Sequence, residues 1–412
     1  MLDLKEIRRD PEPVRAALAR RGAAAVLDEL LALDERRRAL LPRLEELRAK
    51  QNQANEKIAA AKRSGDDAAA AIEEMRGVAT EVKQLQAEVG QVEEQLDKGL
   101  AGVPNPPDPT APDEDAVIRE VGEAGKTGRD HLELLGGLVD MEAGARVAGS
   151  RFAYLKGPLV LLEFALVRWA LEVLGEKGFE PVIPPVLVRE EALYGTGFLP
   201  DTEQQIYALP EDELYLAGTS EVPLASLHAG QILPEEQVPL RYAGFSTCFR
   251  REAGAAGKDT RGVFRVHQFD KVEMFTFVRP EESQDEHERL LAIEEEILQS
   301  LGIPYRVVNI AVGELGASAA KKYDLEAWLP GQERFRELTS CSNTTDFQAR
   351  RLDVRYRPEA GVRHVHTLNG TAVAVGRTII ALVENHQQDD GTIAVPSVLH
   401  EFGAPEVISA SD

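Results

Sequence analysis

Two apolar stripes with heptad spacing dominate the N-terminal quarter of the sequence. They occupy 30–61 and 71–96 and alternate steps of three and four residues, as coiled-coil seams do. The apolar stripe positions are Leu30, Leu33, Leu40, Leu44, Leu47, Ala54, Ile58 and Ala61, with Arg37 and Gln51 at the two positions missing from this series, then Ala71, Met75, Val78, Val82, Leu85, Val89, Val92 and Leu96. Because a short polar connection (63–67) forces adjacent helices antiparallel, the sequence predicts one long helical hairpin. Pro42 should kink its first helix unless the helix is offset there.

The two stripes differ in charge. Between 36 and 63 there are nine Lys/Arg and three acidic residues, a net of +6, whereas 73–98 has three basic and seven acidic residues, a net of −4. This difference fits either solvated helix faces joined by salt bridges or a stripe that faces RNA. The residues alone leave both interpretations open.

Composition limits the remaining possibilities. The chain has a formal charge of −23, which argues against a basic coat over the whole surface but allows a local basic patch. Its N-terminus lacks a signal-peptide core, and the apolar segment 157–174 is interrupted by Glu163 and Arg168. We therefore expect a cytoplasmic protein without a membrane span. Cys248 and Cys341 are too few and too far apart for a disulfide framework or a structural zinc site, and we expect both in the core.

A proline-rich, acidic stretch separates two regions of different pattern. We predict a helical arm over 1–102, a linker over 103–115 and a second domain over 116–412. In the second domain, helical segments near 157–177 and 281–301 alternate with strand-like runs joined by loops and hairpins. This order favours an α+β fold with an antiparallel β-sheet. The strand-like runs are 238–250, 263–269, 272–278, 305–311, 364–370 and 393–399.

A cluster of cations follows the first of these runs. Residues 248–275 contain Arg250, Arg251, Lys258, Arg261, Arg265 and Lys271 around a Gly/Ala-rich loop. If the chain is extended from 265 onward, Arg265, His267, Phe269, Lys271 and Glu273 share one face. Such a face could support a nucleoside triphosphate, because guanidinium groups bind phosphates and an aromatic ring stacks on a base. An amphipathic edge strand with a solvated polar side is the alternative.

Two later segments favour the nucleotide interpretation. Glu337 stands three residues before Ser340, so a carboxylate and a hydroxyl could share one Mg²⁺ that bridges phosphates. The small-residue segment 368–377 could let a ligand approach the backbone, with Arg377 at its mouth.

Together these segments resemble the signature motifs of the class II aminoacyl-tRNA synthetases. Gly178, Phe179, Val182 and Pro185 resemble motif 1; Phe249, Arg250, Glu252, Arg265, Phe269 and Glu273 resemble motif 2; Gly370 to Arg377 resemble motif 3. Thr219-Ser220-Glu221 matches the TxE motif for the amino acid, and the N-terminal hairpin resembles the arm of seryl-tRNA synthetases. The resemblance covers essentially the whole chain.

The resemblance implies a role for each matching residue. ATP would bind Arg250, Glu252, Arg265, Val266, Phe269, Glu337, Ser340 and Arg377, with Mg²⁺ on Glu337 and Ser340. Of these, Arg250, Glu337 and Arg377 would be catalytic. L-serine would bind Thr219, Glu221, Arg250, Glu273, Asn369 and Thr371. The RNA partners would be tRNA(Ser) and tRNA(Sec), and they would bind Arg36, Arg43, Lys50 and Lys57. Pro185 would lie at the interface of a homodimer.

Two other functions are compatible with parts of the pattern. An amino-acid ligase that loads a carrier protein would share the adenylation residues but would not need an RNA-reaching hairpin. A coiled-coil scaffold with a decayed catalytic body would not need the complete set of Arg250, Glu252, Phe269, Glu337 and Arg377.

Overall fold

The computed structural model describes residues 2–65, 67–200, 205–253 and 262–410. The chain forms two compact units, Leu2–Val103 and Pro104–Asp412. The smaller unit contains α1 (Leu4–Arg9), α2 (Pro11–Ala19), α3 (Ala24–Ser64) and α4 (Ala69–Gly102).

The hairpin formed by α3 and α4 confirms the predicted coiled coil. Every predicted apolar stripe position is buried or half-buried, and the buried members gather toward one end of the hairpin: Leu30, Leu40, Leu44, Val82, Leu85, Val89, Val92 and Leu96. Gly65 ends α3 in the left-handed conformation (φ 75°), which a glycine adopts without steric cost. Pro42 lies inside α3, which continues on both sides of it. The Pro42 side chain is exposed, so water can reach the backbone carbonyl that the proline leaves unpaired.

The larger unit combines helices with several sheets. Its helices are α5 (His131–Leu135), α6 (Met141–Ala148), α7 (Pro158–Glu176), α8 (Glu190–Thr196), α9 (Glu221–Ala225), α10 (Ser283–Ser300), α11 (Phe347–Leu352) and α12 (Val375–Asn385). Its first strands are β1 (Ala116–Val121), β2 (Val139–Asp140), β3 (Tyr154–Leu155), β4 (Glu180–Val182), β5 (Leu187–Val188), β6 (Tyr207–Leu209), β7 (Leu214–Leu216), β8 (Ile232–Pro234) and β9 (Leu240–Phe249). The later strands are β10 (Gln268–Val278), β11 (Tyr305–Asn309), β12 (Lys321–Leu329), β13 (Arg334–Asn343), β14 (Arg355–Arg357), β15 (Arg363–His364), β16 (His366–Ala374), β17 (Ile393–Ala394) and β18 (Val407–Ile408).

An eight-stranded sheet organises this unit. Its order is β1-β11-β12-β13-β16-β10-β9-β4, and each neighbouring pair is antiparallel except β4 and β9, which are parallel. The predicted antiparallel α+β class is therefore confirmed. The helices α7, α10 and α12 pack against the sheet and share with it one large apolar cluster.

The apolar segment 157–174 forms the helix α7, whose apolar side chains are largely buried in the core of the protein. Leu159, Leu162 and Leu166 are buried against the sheet, whereas Leu161 and Phe164 are exposed. Among the described residues, none of the helices has the length and apolar character of a membrane span. Cys248 and Cys341 are both buried thiols, as expected.

The proline-rich stretch is ordered where it meets the larger unit. Asn105 is 4% exposed, and its side-chain nitrogen donates to the carbonyls of Ser318 and Thr344 at 2.9 and 2.8 Å. Its backbone N–H donates to the carbonyl of Ala317. The segment 104–115 is thus fixed to the larger unit by hydrogen bonds rather than hanging free.

The strand predictions were wrong at two places. The run 263–269 is extended only from Gln268, where β10 begins, so Arg265 and His267 lie outside the strand that carries Phe269, Lys271 and Glu273. The run 393–399 forms only the two-residue β17 before a 3₁₀ turn at Ser397–Phe402. In both places short apolar runs resembled strands because their local pattern does not distinguish a strand from packed loop or turn.

Candidate active site

A cavity of about 670 Å³ lies over β10, β12, β13 and β16. Every residue predicted to bind ATP or serine lines it: Thr219, Glu221, Arg250, Glu252, Arg265, Val266, Phe269, Glu273, Glu337, Ser340, Asn369, Thr371 and Arg377. Lys258 and Arg261 of the predicted basic cluster lie outside the described residues.

One end of the cavity is built around a buried ion pair. Lys271 and Glu273 point to the same side of β10 because they are two residues apart, and their side chains form a salt bridge. The Lys271 ammonium also donates to the Thr219 hydroxyl at 2.8 Å. Burial raises the pKa of Glu273, while Lys271 opposes the rise. Lys271 therefore neutralises one of the two carboxylates at this end.

Glu221 supplies the second carboxylate. It begins α9, and its backbone N–H donates to the Thr219 hydroxyl at 3.1 Å. Burial and the nearby Glu273 raise the pKa of Glu221 to about 7, although a hydrogen bond from Gln348 opposes the rise. A positively charged ligand beside this buried carboxylate would stabilise its charged form.

A β-bulge completes this end. On β16 the pairing with β10 skips Ala372, so that Val373 faces Val272 while Thr371 faces Glu273. The skipped residue places Thr371 beside Glu273, with Asn369 on the same face two residues earlier. The hydroxyl of Thr371, the amide of Asn369 and the carboxylate of Glu273 consequently lie where they could form hydrogen bonds with a small polar side chain of a ligand.

Arg250 lies between this end and the rest of the cavity. Its Nε donates to the carbonyl of Gly218 at 3.0 Å, and its guanidinium lies 5.3 Å from the ring centre of Phe269. The backbone of Arg250 is held as well, since its N–H donates to the carbonyl of His267 at 2.9 Å and the His267 ring bonds its carbonyl at 2.9 Å. His267 thus orients the backbone of Arg250.

Glu252 and Arg265 form a pair at the rim of the cavity. Arg265 Nη1 donates to Glu252 Oε2 at 2.7 Å. Glu252 has a backbone φ of 50°, a left-handed conformation that is unfavourable for a residue with a side chain and is concentrated at functional sites. Glu252 follows the end of β9, and Arg265 precedes the start of β10.

Arg377 occupies the opposite side of the cavity. Its Nη1 donates to the backbone carbonyl of Glu337 at 3.1 Å and lies 3.5 Å from Glu337 Oε2. Its guanidinium lies 4.7 Å from the ring centre of Phe264, and Arg336 covers the same ring at 3.9 Å. Phe264 is 6% exposed, so two guanidinium groups share one buried aromatic ring.

A second bulge brings Glu337 and Ser340 to one face. Residues three apart in a regular strand point to opposite faces, but the pairing of β13 with β12 skips Leu338, so Ser340 faces Asp324 and Glu337 faces Glu326. Desolvation would raise the pKa of Glu337, but Arg377, Lys322 and Arg250 together lower it. A charged carboxylate and a hydroxyl on one face are ligands that fit Mg²⁺, with the remaining oxygens left to phosphates. Among the described residues there is no group of three or more His, Cys, Asp or Glu that could hold a metal alone.

Gly370 serves the opposite face of the sheet. A Cβ placed on Gly370 would lie 2.9 Å from Glu294 Oε1 and 3.0 Å from the Met274 side chain, beside α10. The missing side chain of Gly370 therefore makes room for the helix that supports β16, whereas Ala374 and Gly376 of the same small-residue segment line the cavity.

The N-terminal region of the chain matches the family model described as the seryl-tRNA synthetase N-terminal domain over residues 1–107. Residues 206–386 match the class II core domain of tRNA synthetases for G, H, P, S and T. The serine–tRNA ligase of Thermobifida fusca is 49% identical over 99% of this chain and 99% of its own length. The chain belongs to the seryl-tRNA synthetase family.

Solved structures of the family agree over the whole chain. A seryl-tRNA synthetase from Pyrococcus horikoshii, complexed with ATP, has a TM-score of 0.91 and 42% identity and covers 99% of both chains. A cytoplasmic serine–tRNA ligase from Naegleria fowleri, in complex with AMP, has a TM-score of 0.85 and 34% identity, covering 97% of this chain and 96% of its own. The enzyme class is thus that of a serine–tRNA ligase, with ATP as a substrate.

The family's arm corresponds to α3 and α4. The predicted RNA contacts Arg36, Arg43, Lys50 and Lys57 recur every seven residues on α3 and are all exposed. Arg36 bonds Glu88 of α4 at 2.8 Å, and Lys50 bonds Glu46 of its own helix at 2.7 Å. Both open interpretations of this face therefore find support, because salt bridges and a regular row of exposed cations coexist on it.

Sequence reasoning missed four residues that shape the site. Lys271 was placed on one strand face with Phe269 and Glu273 but was given no role in the site, and Phe264, Lys322 and Gln348 were not singled out. Lys322 lies in the cavity, on the face of Ser340, and its ammonium is 2.8 Å from Asp324 Oδ1. The i+2 spacings of Lys271 with Glu273 and of Lys322 with Asp324 were usable signals for those pairs, whereas the contacts of Phe264 and Gln348 join residues far apart in sequence.

Proposed function

We propose that this chain activates L-serine with ATP to form seryl-adenylate and then transfers the seryl group to the 3′ end of tRNA(Ser). The observation that carries the proposal is the division of one cavity into two parts. One part has the carboxylates Glu221 and Glu273 beside hydroxyl and amide groups, and the other has the cations Arg250 and Arg377.

The carboxylate part suits serine. Glu273 is already paired with Lys271, so Glu221 is the carboxylate left to receive the serine ammonium. The side chains of Thr219, Asn369 and Thr371 surround the same space, and Thr371 faces Glu273 across the strands. In this proposal Thr371 and Glu273 bind the serine hydroxyl. Alanine would leave these buried groups unpaired and be rejected, while threonine would be rejected by the size of the pocket.

The cationic part suits ATP. Arg250 binds the α-phosphate, Phe269 stacks on adenine, and Glu252, Arg265 and Val266 line the adenine end. Arg377 closes on the other face of the base and on the γ-phosphate. Support comes from the placement of all these side chains around the same cavity and from the cations that face one another across it.

The first reaction needs charge neutralisation and alignment rather than a general base. The serine carboxylate is ionised at neutral pH, so one of its oxygens can attack the α-phosphorus directly. The bond from the α-phosphorus to the bridging oxygen breaks, and pyrophosphate leaves with its electron pair. Arg250 and Arg377 stabilise the negative charge that develops on the phosphates. A Mg²⁺ ion held by Glu337 and Ser340 would neutralise further phosphate charge.

In the second reaction the terminal ribose hydroxyl of tRNA attacks the activated seryl carbonyl, and AMP leaves. The cationic stripe Arg36, Arg43, Lys50 and Lys57 is proposed to bind the tRNA backbone, since exposed salt bridges such as Arg36–Glu88 are weak enough to be replaced by phosphate contacts. We extend the proposal to tRNA(Sec) as a second RNA substrate.

Amino-acid-dependent ATP–pyrophosphate exchange tests the first reaction. Exchange with serine alone among the twenty amino acids supports it, and exchange with another amino acid contradicts it. Aminoacylation of tRNA(Ser) and tRNA(Sec) transcripts then tests the second reaction.

The arm is tested in the full-length chain. The variant R36Q/R43Q/K50Q/K57Q should charge tRNA(Ser) with a raised KM for tRNA and a weaker salt dependence, because fewer counterions are released on binding. Its exchange activity should equal that of the parent. The matched control R76Q/K83Q/K98Q neutralises cations of α4 instead, and an equal loss of charging in the control would contradict the assignment to α3.

We also propose that a second copy of the chain covers an apolar surface on the larger unit. Leu161 and Phe164 on α7 are 54% and 64% exposed, and Ile183, which follows β4, is 82% exposed. The helix α7 packs against β4, so these side chains belong to one region, which also includes the exposed Pro185. Exposed apolar groups of this kind mark protein interfaces. Sedimentation of the parent chain should give a dimer, and I183D should increase the fraction of monomer. A monomeric parent would contradict the proposal.

A cytoplasmic location remains a prediction.

A further inference from the structure

The side chain of Gln348 reaches the amino-acid end of the cavity from behind. Gln348 is in α11, and its side chain is completely buried. Its Nε2 donates to Glu221 Oε1 at 2.7 Å and to the backbone carbonyl of Thr196 at 3.3 Å. Its Oε1 accepts a hydrogen bond from the Thr367 hydroxyl at 2.9 Å. Both ends of the amide are thus engaged without water.

The surroundings fix which end of the amide faces Glu221. The carbonyl of Thr196 can only accept hydrogen bonds, so the amide nitrogen must face it. On the other side, the Thr344 hydroxyl donates to the carbonyl of Thr367 at 2.7 Å, which leaves the Thr367 hydroxyl to donate to Gln348 Oε1. Reversing the amide would place its oxygen against an acceptor-only carbonyl and against a carboxylate. Gln348 therefore presents a fixed donor to Glu221.

We infer that Gln348 is a positioning residue for amino-acid binding, which holds Glu221 Oε1 so that the other carboxylate oxygen receives the substrate ammonium. This inference rests on the serine pocket of the proposed function. It concerns a side chain that contacts Glu221 rather than the substrate, and Gln348 does not line the cavity itself.

The electrostatics of the pocket make such a donor necessary. Glu221 is 8% exposed and is faced by three other charged groups, which are Arg250, Lys271 and Glu273. Burial and Glu273 raise the pKa of Glu221 to about 7, and among the interactions that lower this pKa the hydrogen bond from Gln348 has the largest effect. Without this bond, a larger fraction of Glu221 would be protonated at neutral pH. A protonated carboxyl would neither attract an ammonium group nor stay oriented by Gln348.

Thr344 and Thr367 belong to the same hydrogen-bond network as Gln348. Thr344 and Thr367 are fully buried, their hydroxyl oxygens are 2.6 Å apart, and they connect α11 to β16. Since β16 also carries Asn369 and Thr371, one network fixes the carboxylate for the ammonium and the strand that faces the serine hydroxyl. Neutral networks of this type are rigid only when every member is satisfied.

The variant Q348M tests the inference, because methionine has a similar size but neither donates nor accepts strongly. Serine-dependent pyrophosphate exchange by the full-length chain is measured at pH 6.5, 7.5 and 8.5. We expect the KM for serine at pH 7.5 to rise about tenfold or more, as for loss of a hydrogen bond to a charged group, while the KM for ATP changes less than about twofold. The acidic limb of the serine kcat/KM profile should also move to higher pH, so that the defect is smaller at pH 8.5.

A matched control is Q387M. Gln387 is also bonded at both ends, with Oε1 accepting from the Arg129 N–H at 2.9 Å and Nε2 donating to the Glu384 carbonyl at 2.7 Å, but it does not line the cavity. It should leave both KM values and the pH profile unchanged. Equal rises in the KM for serine and for ATP in Q348M, with no shift of the pH profile, would show a purely structural role and overturn the inference.

A second variant, T367V, keeps Gln348 and removes the hydroxyl that fixes its amide. We expect a smaller rise in the KM for serine, about threefold, again without an effect on ATP. If Q348M does not fold, an unchanged KM for serine in T367V overturns the inference. The two levels of failure remain distinct: a parent enzyme without serine exchange contradicts the proposed function, whereas an active parent with normal Q348M kinetics contradicts only the role of Gln348.

Discussion

Replacing Glu221 by glutamine should stabilise the larger unit at alkaline pH while removing serine activation. Burial and the neighbouring Glu273 raise the pKa of Glu221 to about 7 from its ordinary 4.5. A carboxyl whose pKa is raised on folding favours the folded state below the unfolded pKa, and this stability is lost as pH rises to the folded pKa. The difference of about 2.5 units corresponds to about 3 kcal/mol above pH 7. An amide resembles the neutral carboxyl, so E221Q avoids this loss.

Urea unfolding at several pH values measures the effect. E221Q should exceed the parent by about 3 kcal/mol at pH 8.5, and the difference should shrink to about 1 kcal/mol at pH 5, where the parent carboxyl is itself protonated in the folded state. The exposed glutamate Glu236 provides a control, because E236Q changes the same chemical group without changing a buried charge. Serine-dependent exchange by E221Q should fall at least about a hundredfold at pH 7.5, as for loss of an ion pair in a buried site. A stability difference that does not vary with pH, or normal exchange by E221Q, would refute the reasoning.

The remaining predictions concern the pH profile and the ATP side of the cavity. In the parent, the KM for serine should rise as pH falls below about 7, because Glu221 is then protonated. The charged groups that face Glu221 are Arg250, Lys271 and Glu273. The variant E221Q should lose this pH dependence. A profile that stays flat from pH 8 to pH 6 would count against the assignment. The variant F264L should raise the KM for ATP about fivefold and leave that for serine unchanged, because leucine keeps the apolar volume but removes the ring beneath Arg377. F264Y keeps the ring and should behave as the parent, so equal defects in both variants would exclude the cation–π contact as the cause.

The arm was predictable because its pattern is local. Heptad spacing relates residues three or four positions apart, and the partner helix follows after a short turn, so the seam of α3 and α4 could be derived position by position. The lengths of α7 and α10 were predicted for the same reason. Arg265 and His267 were assigned to the wrong kind of backbone, because alternation continues into the loop before β10 although the ladder does not.

The composition of the site was predictable, but the contacts that give each residue its role were not. The sequence identified Glu221 and placed it with Glu273, yet it gave no sign that Lys271 neutralises one carboxylate and that Gln348 orients the other. Gln348 is 127 positions from Glu221, and the hydrogen bonds that orient its amide come from two further elements. A contact between residues so far apart cannot be inferred from a periodic pattern within a window of about 20 residues.

The two bulges show why strand pattern alone could not place the catalytic groups. A strand with unbroken alternation would put Glu337 and Ser340 on opposite faces, and it would separate Thr371 from Ala374 in the same way. Each skipped residue, Leu338 and Ala372, reverses the alternation at one point. On β13 the reversal brings together the carboxylate and the hydroxyl that are proposed to hold Mg²⁺, and on β16 it turns Thr371 toward Glu273. Deleting either skipped residue would keep the composition of the motif but restore regular alternation, so the deletion should abolish activity even where the sheet still forms.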